Sequence, residues 1–192
     1  MTRRSPAREK LLDAADELFY AEGVKTVGID RVIEHAGVAR ASLYNSFSGK
    51  DELVKAYLER RADRMLARIE EAVAARADAR DRLLAVLDVQ AAWIAAPSYN
   101  GCAFARASAE STPDGVARIA SDDFRRRLIT LLTDIAGQAG VAAPEELARQ
   151  LSLLYDGAAN AGRFDRQRAS DTARAIASTL VDGALQPSRR GA

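Results

Sequence analysis

The chain is predicted to be all-α, and three observations carry that prediction. Ala, Leu, Arg and Glu, which are strong helix formers, dominate its 192 residues. Alternating runs of Val, Ile and Thr, the mark of half-buried strands, are scarce. Apolar positions recur three and four residues apart in segments bounded by Gly and Pro. With 48% apolar and 29% charged residues, the chain can bury a core and is too apolar to stay disordered.

Ser5-Pro6 reads as an N-cap and first helical residue. Leu11, Leu12, Ala15, Leu18 and Phe19 then follow at helical spacing as far as Gly23. A short helix is expected from Gly28 to Ala36, with Ile29, Val32 and Ile33 inward, then a tight turn at Gly37-Val38. A second short helix runs from about Ala39 to Phe47. Ser48-Gly49-Lys50-Asp51 has the spacing of a capping box and opens a long helix to about Arg76. Asp81 to Ala96 is a helix stopped by Pro97, and Gly101 to Glu110 a short one. Thr112-Pro113 restarts a long helix to about Ala139, ended by Gly140. Pro144-Glu145-Glu146 opens the next, to about Gly162. Asp171 to Gly183 is the last, and residues 187–192 read as a frayed tail.

The chemistry-bearing residues exclude several functions. A single cysteine, Cys102, rules out an intramolecular disulfide framework and a Cys-rich zinc site. A single histidine, His35, leaves no Ser-His-Asp set and little for imidazole ligation. No paired carboxylates or glycine-rich phosphate loop supports catalysis, so no enzyme, cofactor or metal is expected. A net charge of +1 argues against a globally basic nucleic-acid coat. Asp13, Asp16 and Glu17 interrupt the first apolar stretch, unlike a secretory signal. The longest uncharged run, Val89 to Ala105, is broken by Pro97 and is a poor membrane span. A cytoplasmic protein without membrane contact is expected, in which Cys102 is either an inert core thiol or an oxidant sensor.

The most informative stretch is Gly28 to Phe47: two short helices joined by Ala36-Gly37-Val38. Gly37 supplies a turn conformation that other residues adopt at a cost, and Val38 packs back. This is the pattern of a helix-turn-helix, whose second helix enters a DNA major groove. The run Gly37-Val38-Ala39-Arg40-Ala41-Ser42-Leu43-Tyr44-Asn45-Ser46-Phe47-Ser48-Gly49-Lys50-Asp51-Glu52-Leu53 resembles the signature of TetR/AcrR-family transcriptional regulators: an A-G-V turn, L-Y-x-x-F, then Lys and an acidic-Leu pair. The resemblance spans about residues 8 to 58. Gly101-Cys102-Ala103-Phe104 through Ala109-Glu110 resembles a further pattern found in part of that family.

The resemblance implies a three-helix DNA-binding domain over residues 1–50, an effector-binding and dimerisation domain over 51–186, and a tail over 187–192. It makes Ala39 to Phe47 the recognition helix. Arg40, Ala41, Ser42 and Asn45 would lie near base edges or adjacent backbone, with Tyr44 and Lys50 on phosphates. Arg40 suits a guanine edge and Asn45 an adenine. Lys50 stands at a helix start, where free N–H groups attract anions. Departures are visible. Gly28 replaces a frequent Ser or Thr and leaves only a backbone contact. Ala39 replaces a frequent Ser, whose cap is worth roughly 0.5–2 kcal/mol. Ser46 replaces a frequent His.

Residues 1 to 60 hold ten Lys/Arg and ten Asp/Glu, so DNA binding requires segregation. Arg3, Arg4, Arg8, Lys25, Arg40, Lys50 and Lys55 could gather on one face, with Asp13, Asp16, Glu17 and Glu59 elsewhere. Phe47 is expected as the plug of the small core, Tyr44 with its ring packed and its hydroxyl outward, and His35 facing solvent.

In the C-terminal part, Leu147, Leu151, Leu154 and Ala158 form one stripe, and Ala173, Ile176, Ala177 and Leu180 another. These stripes allow packing inside one chain. The resemblance implies instead that the last two helices pair with a second copy, giving a homodimer that reads two half-sites of a palindromic double-stranded operator about 34–36 Å apart. Trp93, Tyr99, Phe104, Phe124 and Tyr155 are spread over helices expected to surround one cavity for a small apolar effector, with Asn160, Asp156 or Glu110 orienting it. The same rings would serve as plain core. The resulting expectation is a ligand-responsive regulator, a repressor by resemblance. The alternative is an all-helical small-molecule-binding protein, enzyme or scaffold without DNA binding. The effector, operator and regulated genes are not encoded in any motif.

Overall fold

The computed structural model describes residues 5–186, so the expectations at Arg3, Arg4 and the tail 187–192 lie outside the described residues. The described residues form nine helices: α1 (Pro6–Glu22), α2 (Ile29–Ala36), α3 (Arg40–Ser46), α4 (Lys50–Ala74), α5 (Ala79–Ala95), α6 (Ala103–Ala109), α7 (Val116–Gln138), α8 (Pro144–Ala161) and α9 (Arg166–Leu185). The chain is all-α, as its composition predicts. Among the described residues no helix is long and apolar enough to cross a membrane. Two compact units are formed. One comprises the residues up to Asp63 together with Ala103–Phe124; the other comprises Arg64–Cys102 together with the residues from Arg125 onward.

In the first unit, Ser5 caps α1 by accepting the Arg8 N–H at 3.2 Å, with Pro6 in the first turn. α1 packs on α2 and α3. Leu11, Ala15, Val32, Leu43 and Leu53 have no exposed surface, and Phe47 is the expected plug at 2% exposure. α2 ends at Gly37 with φ +61° and ψ +40°. Gly37 donates to the Glu34 carbonyl and Val38 to the Ile33 carbonyl, which satisfies carbonyls that the helix end would leave orphaned.

The expected capping box of α4 is displaced by one residue. The helix begins at Lys50, so its third position is Glu52, not Asp51. The Glu52 carboxylate accepts the Ser48 N–H at 2.6 Å. That hydrogen bond is the main reason its carboxyl lies below the ordinary carboxylate range.

In the second unit α9 packs against α5 and α8. Ala173, Ala177 and Val181 form its buried seam, where small side chains permit close approach. Gly162 is equally constrained: a Cβ there would meet Ile94 at 2.8 Å. Ion pairs flank the α5–α9 contact. Arg80 binds Asp182, and Asp88 receives Arg174 at 2.6 Å and Arg76 at 3.3 Å. Four helix starts differ from expectation by two residues or more. α5 begins at Ala79 behind the Asp78 cap rather than at Asp81, α6 at Ala103 rather than at Gly101, α7 at Val116 rather than at Thr112-Pro113, and α9 at Arg166, five residues before Asp171. At α9 the cause is Asp165, whose side chain accepts the Arg168 N–H at 3.0 Å.

Candidate nucleic-acid interface

α3 is too short to be stable alone and is held by its neighbours. Leu43 anchors it in the core, and the Gly37 turn sets where it starts. Its side facing away from that core carries the residues the motif selects. Arg40, Ala41, Tyr44 and Asn45 are exposed and Ser42 is half-buried. Tyr44 keeps 52% of its surface exposed, which leaves both ring and hydroxyl accessible. Lys50 is half-buried at the start of α4, and Gly28 is exposed at the N-cap of α2 with no side-chain acceptor.

The charges of this unit are segregated by pairing. Four acids of α1 meet basic side chains: Asp13 meets Arg60 at 2.8 Å, Asp16 meets Arg61 at 2.6 Å, Glu17 meets the His35 ring at 2.7 Å, and Glu22 meets Arg31 through both carboxylate oxygens. Arg61 also lies over the Tyr20 ring at 3.9 Å. Arg8 lies over Phe47 at 5.0 Å. Lys55 reaches Glu59 at only 3.8 Å. Among the described residues, Lys25 and Lys50 have no ion-pair partner. Arg40 does have one, absent from the sequence reading: its Nη2 lies 2.7 Å from Asp30 Oδ1.

A second set of contacts positions the turn before α2. Arg106 on α6 donates to the Tyr20 carbonyl at 2.7 Å, and Glu110, just past the end of α6, accepts the Lys25 N–H at 2.7 Å. Gly23, buried with φ +100°, lies against the Glu110 carboxylate; a Cβ there would stand 2.6 Å from Oε1. Glu110, considered from sequence as a ligand-orienting group, instead fastens this turn. The partners are 85 residues apart, so no local pattern could have revealed the contact.

The expected effector residues occupy several environments. In the first unit Phe104 stacks on Phe124, with centroids 4.1 Å apart, and Ser121 donates to the Phe104 carbonyl at 3.0 Å. In the second unit Trp93 is half-buried, edge-on to Tyr99 at 4.9 Å. Tyr99 donates its hydroxyl to the Ala159 carbonyl, and Gln90 donates its amide to the Tyr155 carbonyl. Tyr155 is fully buried, yet its hydroxyl has no partner among the described residues. Burial pushes that phenol well above its ordinary range. Asp156 is pushed up by burial and pulled back by Arg125 at 2.7 Å. Asn160 is exposed.

The stripes on α8 and α9 divide between two surroundings. Leu147 and Leu151 are buried at 3% and 0%, so the single chain already covers them. Leu154, Ala158 and Ile176 line an open, largely apolar groove of about 450 Å³, and Leu180 is half-buried outside its lining. Leu153 and Phe164 complete the groove and were missed from sequence, although they are 74% and 88% exposed. Phe164 follows the end of α8 and precedes the Asp165 cap, a position where helical periodicity gives no facing direction.

Residues 11–57 match the family described as bacterial regulatory proteins, tetR family. The HTH-type transcriptional activator FasR of Mycolicibacterium smegmatis is 36% identical over 85 residues, 44% of this chain and 39% of that protein. The chain thus spans well under two thirds of that relative's length. A TetR-family transcriptional regulator from Streptomyces coelicolor, SCO4454, has a solved structure that is 34% identical, covering 94% of this chain and 96% of that one with a TM-score of 0.88. A regulator structure from Streptomyces avermitilis is 28% identical, covers 94% and 98%, and has a TM-score of 0.81. The Gly37 turn and the core-anchored α3 thus sit inside the matched segment, the structural match extends over 94% of the chain, and the chain belongs to the TetR family.

Proposed function

We propose that this protein is a homodimeric, ligand-responsive transcriptional regulator that binds a palindromic operator through α3. The observation that carries this reading is the exposed row Arg40, Ala41, Tyr44 and Asn45 on a short helix whose opposite side is locked into the core by Leu43. Arg40 and Asn45 read base edges. Tyr44, Lys50 and the Gly28 backbone bind phosphates, and Ser42 supports the contact from the half-buried edge.

The second copy covers the α8–α9 groove. Leu153, Phe164 and Ile176 form a cluster of exposed large apolar side chains that water disfavours, and Leu154 and Ala158 extend it. Leu147, Leu151 and Leu180 support that face from behind. The effector is a small, mostly apolar molecule near Trp93 and Tyr155. The buried Tyr155 hydroxyl has no partner among the described residues and offers a polar contact to such a ligand. Asn160, exposed on α8, belongs to the same expected set, whereas Phe104 and Phe124 stack on each other in the first unit. Ligand binding shifts DNA affinity only if it distinguishes two conformations. Repression is the sign the family resemblance supports, whereas the name of FasR supports activation; a reporter transcribed across the operator separates them.

The test is a mobility-shift titration against salt with a duplex selected from a random library. Affinity should fall steeply with salt. Lys50→Ala should weaken all duplexes alike and lower the salt slope by about one. Arg40→Ala should relax preference at one position of each half-site, by about 1–3 kcal/mol. Binding that is equal for all duplexes defeats the operator-specific reading.

A further inference from the structure

We infer that Asp30 determines operator specificity as a positioning residue, holding the Arg40 guanidinium toward a base edge and away from the phosphates. The inference rests on the proposed DNA binding and adds to it a residue on the helix that precedes the recognition helix.

Asp30 is the second residue of α2 and Arg40 the first of α3, and their side chains meet at 2.7 Å. The side chains are 69% and 62% exposed, so the pair adds little to stability and remains open to an incoming duplex. Its role is then orientation. The first turn of α2 carries free N–H groups that favour a carboxylate, which keeps Asp30 in place. The guanidinium is a rigid planar fork, so holding Nη2 beside Asp30 restricts where its other nitrogens can point. Asp30 occupies one side of Nη2, and the remaining Nη hydrogens stay available for the two acceptors of a guanine edge.

The carboxylate also selects against the wrong contact. A phosphate drawn to Arg40 at this position would approach Asp30, and like charges repel. The other acids of α1 do not serve in this way, because Asp13, Asp16 and Glu22 are paired with Arg60, Arg61 and Arg31, and Glu17 meets the His35 ring. Asp30 is therefore the acid of this region whose partner is the residue proposed to read a base.

The experiment uses the full chain and duplexes selected from a library randomised over about 20 base pairs, the span of two half-sites. Preference, affinity for a random-sequence duplex and salt slope are measured for the wild type, Asp30→Asn, Arg40→Ala and the double variant. Asp30→Asn should lower preference at the position sensitive to Arg40 by about tenfold. It should raise random-duplex affinity and steepen the salt slope by about one contact. In the Arg40→Ala background the same substitution should leave preference unchanged. Unaltered preference in Asp30→Asn, or an equal shift without Arg40, overturns the inference alone. A wild type with no salt-dependent DNA binding overturns the DNA-binding reading and the inference with it.

Discussion

The recognition helix and the last two helices expose opposite chemistry. α3 has seven residues, one fully buried side chain and no side-chain cap, and it presents Arg40, Tyr44 and Asn45 to solvent. α8 and α9 have 18 and 20 residues, bury whole seams inside the chain, and still expose Leu153 and Ile176, with Phe164 exposed in the turn between them. A short helix cannot hold itself, so its placement depends on the Gly37 turn and Leu43. The long helices are secured by their seams, and the apolar surface they leave in water disfavours the single chain by roughly 25 cal/mol per Å². One region is therefore sensitive to changes in what supports it, the other to changes in what covers it.

The largest expected effect breaks the second half of that comparison. Phe164 is 88% exposed, so Phe164→Asp should leave the folded chain and its melting temperature nearly unchanged. In a dimer through the α8–α9 groove, the new charge would have to be desolvated or the seam opened. Sedimentation should show monomer at micromolar concentrations. Operator affinity should fall on the order of a hundredfold as the second half-site contact is lost. An unchanged dimer would place the interface elsewhere and make the exposed apolar groove a feature of the monomer surface.

These two regions also differed in how far they could be read from the residues alone. Positions within a few residues of one another were legible: the Ser5 cap, the Gly37 turn, Phe47 as plug, and the outward side of α3. Each depends on local geometry that a residue type either permits or forbids. What escaped involves partners distant in the chain or periodicity without a facing direction. Asp30 meets Arg40 only because the turn folds α2 back onto α3. Glu110 reaches Lys25 across 85 residues. On α8, helical spacing puts Leu147, Leu151 and Leu154 on one stripe, but only packing decides that the first two face the chain's own core. Residue type gives no sign of it either: a Phe is usually buried, and Phe164 is not.

A smaller effect sharpens the idea that the recognition region depends on its supports. Gly23→Ala puts a Cβ into backbone of φ +100° and against the carboxylate that holds the Lys25 N–H. It should destabilise the chain by roughly 1–3 kcal/mol, about 2–4 °C of Tm per kcal/mol. Gly37→Ala, at φ +61° with nothing within 4 Å of the added Cβ, bears only the backbone cost of about 1–2 kcal/mol. Pairing each with Glu110→Ala separates the two causes. Gly23→Ala should lose part of its cost once the carboxylate is gone, and Gly37→Ala should lose none. Equal behaviour at both glycines would mean that the contact from Glu110 does not constrain the turn.

The smallest effect compares the two regions by a single change made in each. Ala39 caps α3 and Ala143 caps α8, and neither side chain can accept a hydrogen bond. Ala39 has φ −67° and ψ +145°, the extended geometry from which a Ser hydroxyl reaches the N–H groups two and three residues on, those of Ala41 and Ser42. Ala39→Ser should therefore stabilise the first unit by about 0.5–2 kcal/mol. Ala143 has φ −129° and ψ +70°, outside that geometry, and Pro144 follows it with no N–H to satisfy. α8 is also fixed by its buried seam, so a cap adds little to what packing already secures. Ala143→Ser should change Tm by less than the error of a thermal melt, while Ala39→Ser raises it measurably and protects the α3 amides from hydrogen exchange. A gain of the same size at both sites would mean that α3 is no more dependent on outside support than α8, and the contrast between a supported short helix and self-sufficient long ones would fail.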